Sequence, residues 1–204
     1  MLKLDTSFLR TKIFIMQKIL TKNILLALVF LILTLLTRAS HELTAFSLPD
    51  ASIAIFIAAS IYLKQRKWLF LFLASIISID AYIVNLNDMT HINFETSYLG
   101  HIFTYIITWE LGRRFLSGNK FLKANLYFPI AILAIVLSYI ISFSSYYFLS
   151  GWTSNPNIYD GLTFLGNYFN SFFIPNTVYV VILYVIFKIN QKIPKLTVLN
   201  NTSN

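Results

Sequence analysis

The sequence contains no cysteine, so the chain has no disulfide, no thiolate nucleophile and no cysteine-ligated metal site. Charged residues are also scarce, at 12% of the chain against roughly 25% in an average soluble domain. Hydrophobic residues make up 57%, which is more apolar surface than a soluble protein of this size can bury. We therefore expect an integral membrane protein, with residues 1–204 forming a single transmembrane domain.

The motifs of several common enzymes are missing as well. The sequence has no glycine-rich phosphate loop ending in Lys-Ser or Lys-Thr, which excludes ATP binding by that route. It has neither the His-Glu-x-x-His zinc motif nor the Gly-x-Ser-x-Gly serine motif. We therefore predict no catalytic residue. The net charge of +8 does not indicate nucleic-acid binding, because the basic residues lie between apolar runs.

Six apolar stretches predict an all-α bundle of six transmembrane helices. A helical span needs roughly 20 apolar residues, so adjoining residues must extend the shorter stretches. Each is expected to be helical because lipid offers no water to the backbone. The stretches are residues 23–36, 48–63, 68–84, 97–111, 126–148 and 171–189. Residues 1–22 form a basic lead, cytoplasmic or along the membrane interface, and its length favours a retained first helix over a signal peptide.

The basic residues predict the orientation. Fifteen of the 16 precede helix one, follow helix six, or lie between helices two and three or four and five, and only Arg38 lies on the other side. By the positive-inside rule both termini are cytoplasmic. The acidic residues concentrate at the opposite ends of the helices: Glu42, Asp50, Asp80, Asp88, Glu95 and Asp160. We expect the three outer loops to converge on one outward-facing cavity.

Asp80 is the residue that the sequence marks most clearly for function. It lies about 6 Å before the end of helix three, at 1.5 Å per residue. A carboxylate facing lipid there would be costly, so Asp80 is expected to face the bundle interior or a wet cavity. It would contact a ligand there, or pair with a serine hydroxyl or a backbone amide of a neighbouring helix. Asp50 is a second candidate ligand contact, but a structural role accounts for it fully, because Ser47 and Asp50 have the spacing of a capping box.

Helix four carries Tyr98, His101 and Tyr105 on one face, at positions i, i+3 and i+7. For His101 the sequence favours a hydrogen-bonded core histidine over a ligand contact. Glu110 is expected to pair with the arginines one turn further on.

The last outer loop, residues 150–170, combines aromatic side chains such as Trp152 and Tyr168 with asparagine and glycine. This composition suits stacking against a large flat ligand, and it also suits an ordinary interfacial loop. Pro175 is expected to break the sixth helix near its outer end.

Several segments together resemble one family of transport proteins. These are "SLPDASIAIFIAASIYL" followed by a basic turn, "SIISID" ending at Asp80, the outer segment that reaches Tyr98, and "WELGRR" at the end of helix four. They are similar to the BtuM family, the cobalamin-specific S-components of the energy-coupling factor (ECF) transporters in Gram-negative bacteria. The likeness runs from about His41 to Arg114.

The resemblance implies an inner-membrane protein that holds cobalamin (vitamin B12) in its outward cavity. The ligand would lie near the positions that His41, Asp80 and Tyr98 occupy here. Implied partners are cobalamin, membrane lipid, and the coupling subunit and ATPases of an ECF module; nucleic acid is not among them.

One position departs from the family pattern and concerns cobalt. Many members have a cobalt-ligating cysteine five residues before the tyrosine, where this chain has Asn93. The remaining good donors are the imidazoles of His41, His91 and His101. The resemblance favours His41 as a cobalt ligand, and position in the outer loop favours His91. The outcome we favour is that no side chain ligates the metal, because a large ligand buries enough surface to bind without a metal bond.

Two further interpretations of the sequence stay open at this point. The chain could be an S-component-like subunit for another small molecule, because only the resemblance names the ligand. It could also be a membrane scaffold without a ligand, whose outer loops contact a partner protein.

Overall fold

The protein is described by a computed structural model over residues 6–38, 48–86, 94–118 and 123–192. All regular structure in these ranges is helical. The helices are α1 (Thr6–Arg38), α2 (Ser52–Leu63), α3 (Arg66–Leu86), α4 (Phe94–Phe115), α5 (Ala124–Leu149) and α6 (Ile158–Lys192). Over the described residues, the prediction of an all-α structure with six helices is confirmed. Part of the basic lead, residues 6–22, is continuous with the rest of α1.

Four of these helices are long and apolar enough to cross a membrane. They are Leu20–Arg38 of α1, Arg66–Leu86, Ala124–Leu149, and Ile158–Ile189 of α6. Large apolar side chains on their outer faces, such as Leu25, Phe70 and Val178, are exposed. Such faces suit lipid, so the structure supports a transmembrane protein.

The short helix α2 lies at the centre of the bundle. Its 12 residues span about 18 Å, well below the roughly 30 Å of a bilayer core. Eleven of the 12 are buried, and Ala54 and Ala58 have no exposed surface. It packs against α1, α4, α5 and α6. The predicted stretch 48–63 was too long as a helix, because residues 48–51 are not helical.

Helix α4 packs most extensively against α5, through a seam of hydroxyl groups. Thr104 and Ser142 share a hydrogen bond of 3.0 Å, and Thr108 and Ser138 share one of 3.2 Å. Bonds of this kind satisfy polar side chains in an apolar bundle. These polar side chains, and the charged residues near its ends, leave α4 less apolar than the four helices above.

Two glycines let α4 approach its neighbours closely. A Cβ atom on Gly100 would overlap the Ser145 side chain of α5, and one on Gly112 would overlap the Ser60 hydroxyl of α2. A side chain at either position would therefore force these helices apart.

Helix α6 begins much earlier than predicted. The predicted outer loop 150–170 is helical from Ile158 onward, so only residues 150–157 remain as a connection. Asn157 caps the new start, because its Oδ1 accepts the Asp160 backbone N–H at 2.9 Å and its Nδ2 donates to the Asp160 carboxylate at 2.6 Å. The sequence indicated a loop here because the segment is rich in glycine and asparagine, which favour turns.

The predicted break at Pro175 is wrong, because α6 continues through it. Proline lacks the N–H that the helix would use at this point. Next to it, the Asn176 side chain donates to the Phe172 carbonyl at 2.9 Å. Such local donors allow proline inside a membrane helix.

Candidate functional site

A charged network closes one end of the bundle, and Arg38, the last residue of α1, is at its centre. We call this the Arg38 end; here α1, α3 and α5 finish and α2, α4 and α6 begin. The guanidinium donates to Asp80 through Nε and Nη2, both at 2.5 Å. Its Nη1 donates to Asp50 at 2.8 Å and to the Tyr105 hydroxyl at 2.7 Å. These bonds tie α1 to α3, to α4 and to the segment before α2.

Asp80 lies inside the bundle, as its position in α3 predicted. Its side chain is 13% exposed and forms a bidentate pair with Arg38, whose side chain is 12% exposed. The Tyr98 hydroxyl donates to the same carboxylate at 2.6 Å. A bidentate pair between an arginine and a carboxylate is among the strongest side-chain contacts in proteins. Asp80 thus has partners on neighbouring helices, but they are the Tyr98 hydroxyl and the Arg38 guanidinium, and not the serine hydroxyl or backbone amide that the sequence suggested.

Asp50 has both a local and a long-range role. Its Oδ1 accepts the Ser52 backbone N–H at 2.9 Å and the Ser52 hydroxyl at 2.5 Å, which satisfies donors at the start of α2. Because α2 begins at Ser52, Asp50 precedes the helix, instead of lying in its first turn as a capping box would place it. Ser47 lies outside the described residues. The second carboxylate oxygen of Asp50 accepts Arg38.

The network contains one guanidinium and two carboxylates, so with all three ionised it carries one excess negative charge. Its two acids differ in access. The Asp50 side chain is 41% exposed, compared with 13% for Asp80. A ligand at this end of the bundle would therefore reach Asp50 first, and the Oδ2 lone pair that Arg38 does not use can accept an amide donor.

Beside this network lies an aromatic cavity of about 400 Å³ between α4, α5 and α6. Its walls are Phe143, Tyr146, Trp152, Phe164 and Tyr168, together with His101 and Ser142. The rings pack on one another: Phe164 has its centroid 5.7 Å from that of Trp152 and 4.8 Å from that of Tyr168. This aromatic pocket offers ring faces for stacking and few polar groups.

A second, more polar cleft of about 610 Å³ adjoins the aromatic pocket. The two share Trp152, Phe164 and Tyr168 as a common wall. The rest of the polar cleft is lined mainly by amide, hydroxyl and carboxylate side chains: Thr153, Ser154, Asn155, Asp160, Thr163 and Asn167. A ligand that filled both spaces would meet stacked rings on one side and hydrogen-bonding groups on the other.

His101 connects the aromatic pocket to the charged network. Its ring stacks on Tyr98 at 5.4 Å, with the two planes 7° apart, and Tyr98 in turn donates to Asp80. The Nδ1 atom of His101 is buried without a hydrogen-bond partner among the described residues. The Ser97 carbonyl, one turn earlier, accepts the Ser145 hydroxyl at 2.7 Å. The imidazole lines the aromatic pocket, and the hydrogen-bonded core role predicted for His101 stays a prediction.

The predicted site residues fall into three groups in the structure. Asp50, Asp80 and Tyr98 meet in the charged network. Trp152 and Tyr168 meet in the wall shared by the two cavities, with Tyr168 on α6 and not in a loop. The remaining three lie outside the described residues: His41, His91 and Asn93. Within the described part of the chain, no group of three His, Asp or Glu side chains could hold a metal ion.

The sequence did not identify Arg38 as a site residue, although it contained the signal. Arg38 was the single exception to the distribution of basic charge, and a lone basic residue among acids needs a partner. Phe143, Tyr146 and Phe164 were missed for a different reason: nothing in the sequence of an aromatic-rich membrane helix distinguishes a pocket face from a lipid face.

At the opposite end, Glu110 pairs with Arg113 at 2.6 Å and with Arg114 at 2.9 Å, as predicted. Arg66, at the start of α3, joins them at 3.4 Å.

The chain was also compared with known proteins. No family model matches it, and a search of curated proteins finds no match.

Proposed function

We propose that this chain is the substrate-binding membrane subunit of a vitamin transporter, and that its ligand is cobalamin. In this proposal six helices cross the bacterial inner membrane, both termini are cytoplasmic, and the Arg38 end faces outward. The ligand enters from that side and occupies the aromatic pocket and the polar cleft. It is cargo, and no step of chemistry on it is proposed.

The observation that carries the binding role is the pair of adjoining cavities beside the charged network. Ligand sites in proteins are typically concave and largely apolar, with a few polar groups that orient the ligand. The aromatic pocket supplies the first property through Phe164 and its neighbours. The polar cleft supplies the second through side chains such as Asn155 and Asn167.

The identity of the ligand rests on the resemblance of residues 41–114 to cobalamin-specific S-components. The chemistry of the cavities is compatible with it. A corrinoid combines a broad apolar ring system with a rim of amide side chains. The rings of the shared wall and the Asn, Thr and Asp side chains of the polar cleft complement these two parts. Asp50, the accessible acid of the network, is a further acceptor for such amides.

The proposed orientation gains support from the surroundings of Arg38. A basic residue on the outer side opposes the positive-inside rule. Here its charge is balanced by Asp50 and Asp80, so it does not weigh against that orientation. Glu110 and its three arginines would then lie at the cytoplasmic end, where a coupling subunit with its ATPases would supply the energy for uptake.

The test is to purify the protein from cells grown with cyanocobalamin and to record its visible absorption. We expect the corrin spectrum to copurify with the protein. Phe164→Ala removes a ring from the wall that both cavities share. It should weaken binding about tenfold, because losing a stacked aromatic costs roughly 1–2 kcal/mol. Phe103→Ala is the matched control, since Phe103 is 62% exposed on the outside of α4.

Wild-type protein that carries no corrinoid, and that binds none when it is added after purification, would refute the proposal. Equal loss in Phe164→Ala and Phe103→Ala would show that the ligand, if bound, lies elsewhere.

A further inference from the structure

The aromatic pocket is much smaller than the ligand proposed for the site as a whole. Its volume of about 400 Å³ is near the lower end of the roughly 300–1,000 Å³ range of pockets for drug-sized molecules. Cobalamin is several times larger than such a molecule. The pocket can hold only one portion of it, and the remainder must lie in the polar cleft and beyond.

The walls of the pocket select for a flat ring. Five of its seven lining residues are aromatic, and Tyr146 and Phe164 have nearly parallel planes, 19° apart. Aromatic walls suit planar unsaturated rings. They offer no hydrogen bonds to the amide groups that a corrin carries along its rim. Those amides find donors and acceptors in the polar cleft, on the other side of Trp152.

The polar groups of the pocket narrow the ligand class further. Ser142 is already engaged, because its hydroxyl shares a hydrogen bond with Thr104 at 3.0 Å. His101 is not engaged in this way, since its buried Nδ1 has no partner among the described residues. A buried polar atom left unpaired costs free energy, which a bound partner would recover. The ring that fits is therefore heteroaromatic, with a polar atom within reach of the imidazole.

On these grounds, and resting on the proposed function, we propose that the aromatic pocket is the subsite for the heteroaromatic base of the ligand. In cobalamin this portion is the dimethylbenzimidazole nucleotide. His101 recognises it by a hydrogen bond to the ring nitrogen that has left cobalt, where water takes its place, and the imidazole is held in position by its stacking on Tyr98. The corrin ring lies over the polar cleft.

Two probes test the assignment: cyanocobalamin, and dicyanocobinamide, which has the corrin ring and a second cobalt-bound cyanide in place of the nucleotide base. Binding is measured by calorimetry on the purified full-length chain. Wild-type protein is expected to bind cyanocobalamin at least roughly tenfold more tightly than dicyanocobinamide. Stacking one base on aromatic side chains contributes about that difference in affinity.

Three variants separate the two cavities. His101→Phe keeps a flat ring against Tyr98 but removes the nitrogen atoms, so it should weaken cyanocobalamin about three- to tenfold and leave cobinamide unchanged. Phe164→Ala should reduce the difference between the two probes. Asn167→Ala lies in the polar cleft and should weaken both probes alike. Retained cobinamide binding also shows that the His101→Phe and Phe164→Ala variants are folded, and thermal unfolding checks the fold of Asn167→Ala.

The possible failures are distinguishable from one another. Equal affinity of the wild type for both probes would overturn the base subsite while leaving the proposed function standing. Equal weakening of both probes by His101→Phe would overturn the role of His101. If wild-type protein binds neither probe, the proposed function fails, and the base subsite fails with it.

Discussion

Replacing Asp80 by asparagine removes one charge from the network and keeps the shape of the side chain. The Tyr98 hydroxyl retains an acceptor, but Arg38 loses the bidentate partner of its Nε and Nη2 atoms. Arg38 is 12% exposed and keeps only the bond to Asp50 as an ion pair. The variant therefore leaves a largely buried guanidinium whose remaining counter-charge, Asp50, is 41% exposed.

The size of the effect follows from the burial of the pair. Removing one partner of a buried ion pair costs about 3–5 kcal/mol, and we expect about 3 kcal/mol because Asp50 remains. Asp50→Asn removes an acid that is 41% exposed, and exposed pairs contribute at most about 1 kcal/mol. At roughly 2–4 °C per kcal/mol for chains of this size, Tm should fall by about 6–12 °C for Asp80→Asn and by at most about 4 °C for Asp50→Asn.

The assay is thermal unfolding of the purified variants in one detergent, followed by the loss of monodisperse protein. The double variant Arg38→Met with Asp80→Asn removes both buried charges and should recover most of the lost stability. Uptake compared at equal membrane abundance should be weaker for Asp80→Ala than for Asp50→Ala. Equal Tm losses for the two acids, or additive losses in the double variant, would refute this account of the network.

Three further outcomes are expected. Reporter fusions at the C-terminus and within residues 85–93 should report opposite sides of the membrane, and cytoplasmic signals from both would exclude the proposed orientation. Gly112→Ala should destabilise the protein, because its new methyl group would overlap Ser60. Gly166→Ala should be neutral or slightly stabilising, because no atom lies within 4 Å of its Cβ. If Gly166→Ala were the more destabilising of the two, α2 and α4 would not be in close contact. Purified protein should leave the cyanide of cyanocobalamin in place, since Asn93 offers no thiolate, and a decyanated spectrum without added reductant would contradict that expectation.

The helices were the part of the structure most accessible to prediction from sequence. Long apolar runs report lipid exposure, so α3 and α5 were located to within a few residues. Helix α6 was predicted to start 13 residues too late, at 171 instead of Ile158. Its first turns carry glycine and asparagine, which are poor helix formers on their own. The cap by Asn157 and the packing against α5 outweigh that local preference.

The charged network could be predicted only in part. A charge near the end of an apolar helix must have a partner, so Asp80 could be predicted to lie inside the bundle. The sequence did not show that this partner is Arg38. Pairing depends on which helix ends adjoin, and periodicity within one helix carries no information about that. The aromatic pocket was even harder to predict from the sequence. Phe143 of α5 and Phe164 of α6 are 21 positions apart, and only the packing of their helices makes them neighbours.

The position of α2 has a consequence for how the protein is made. A helix of 12 residues that is buried on all sides has little lipid-facing surface to hold it in the membrane by itself. While the chain is being synthesised, α4 and α6 do not yet exist when α2 leaves the ribosome. Until they arrive, the polar groups that begin α2 have α1 as their neighbour, through the contact between Asp50 and Arg38. The ion pair between Arg38 and Asp50 is thus also suited to hold α1 and α2 together during membrane insertion.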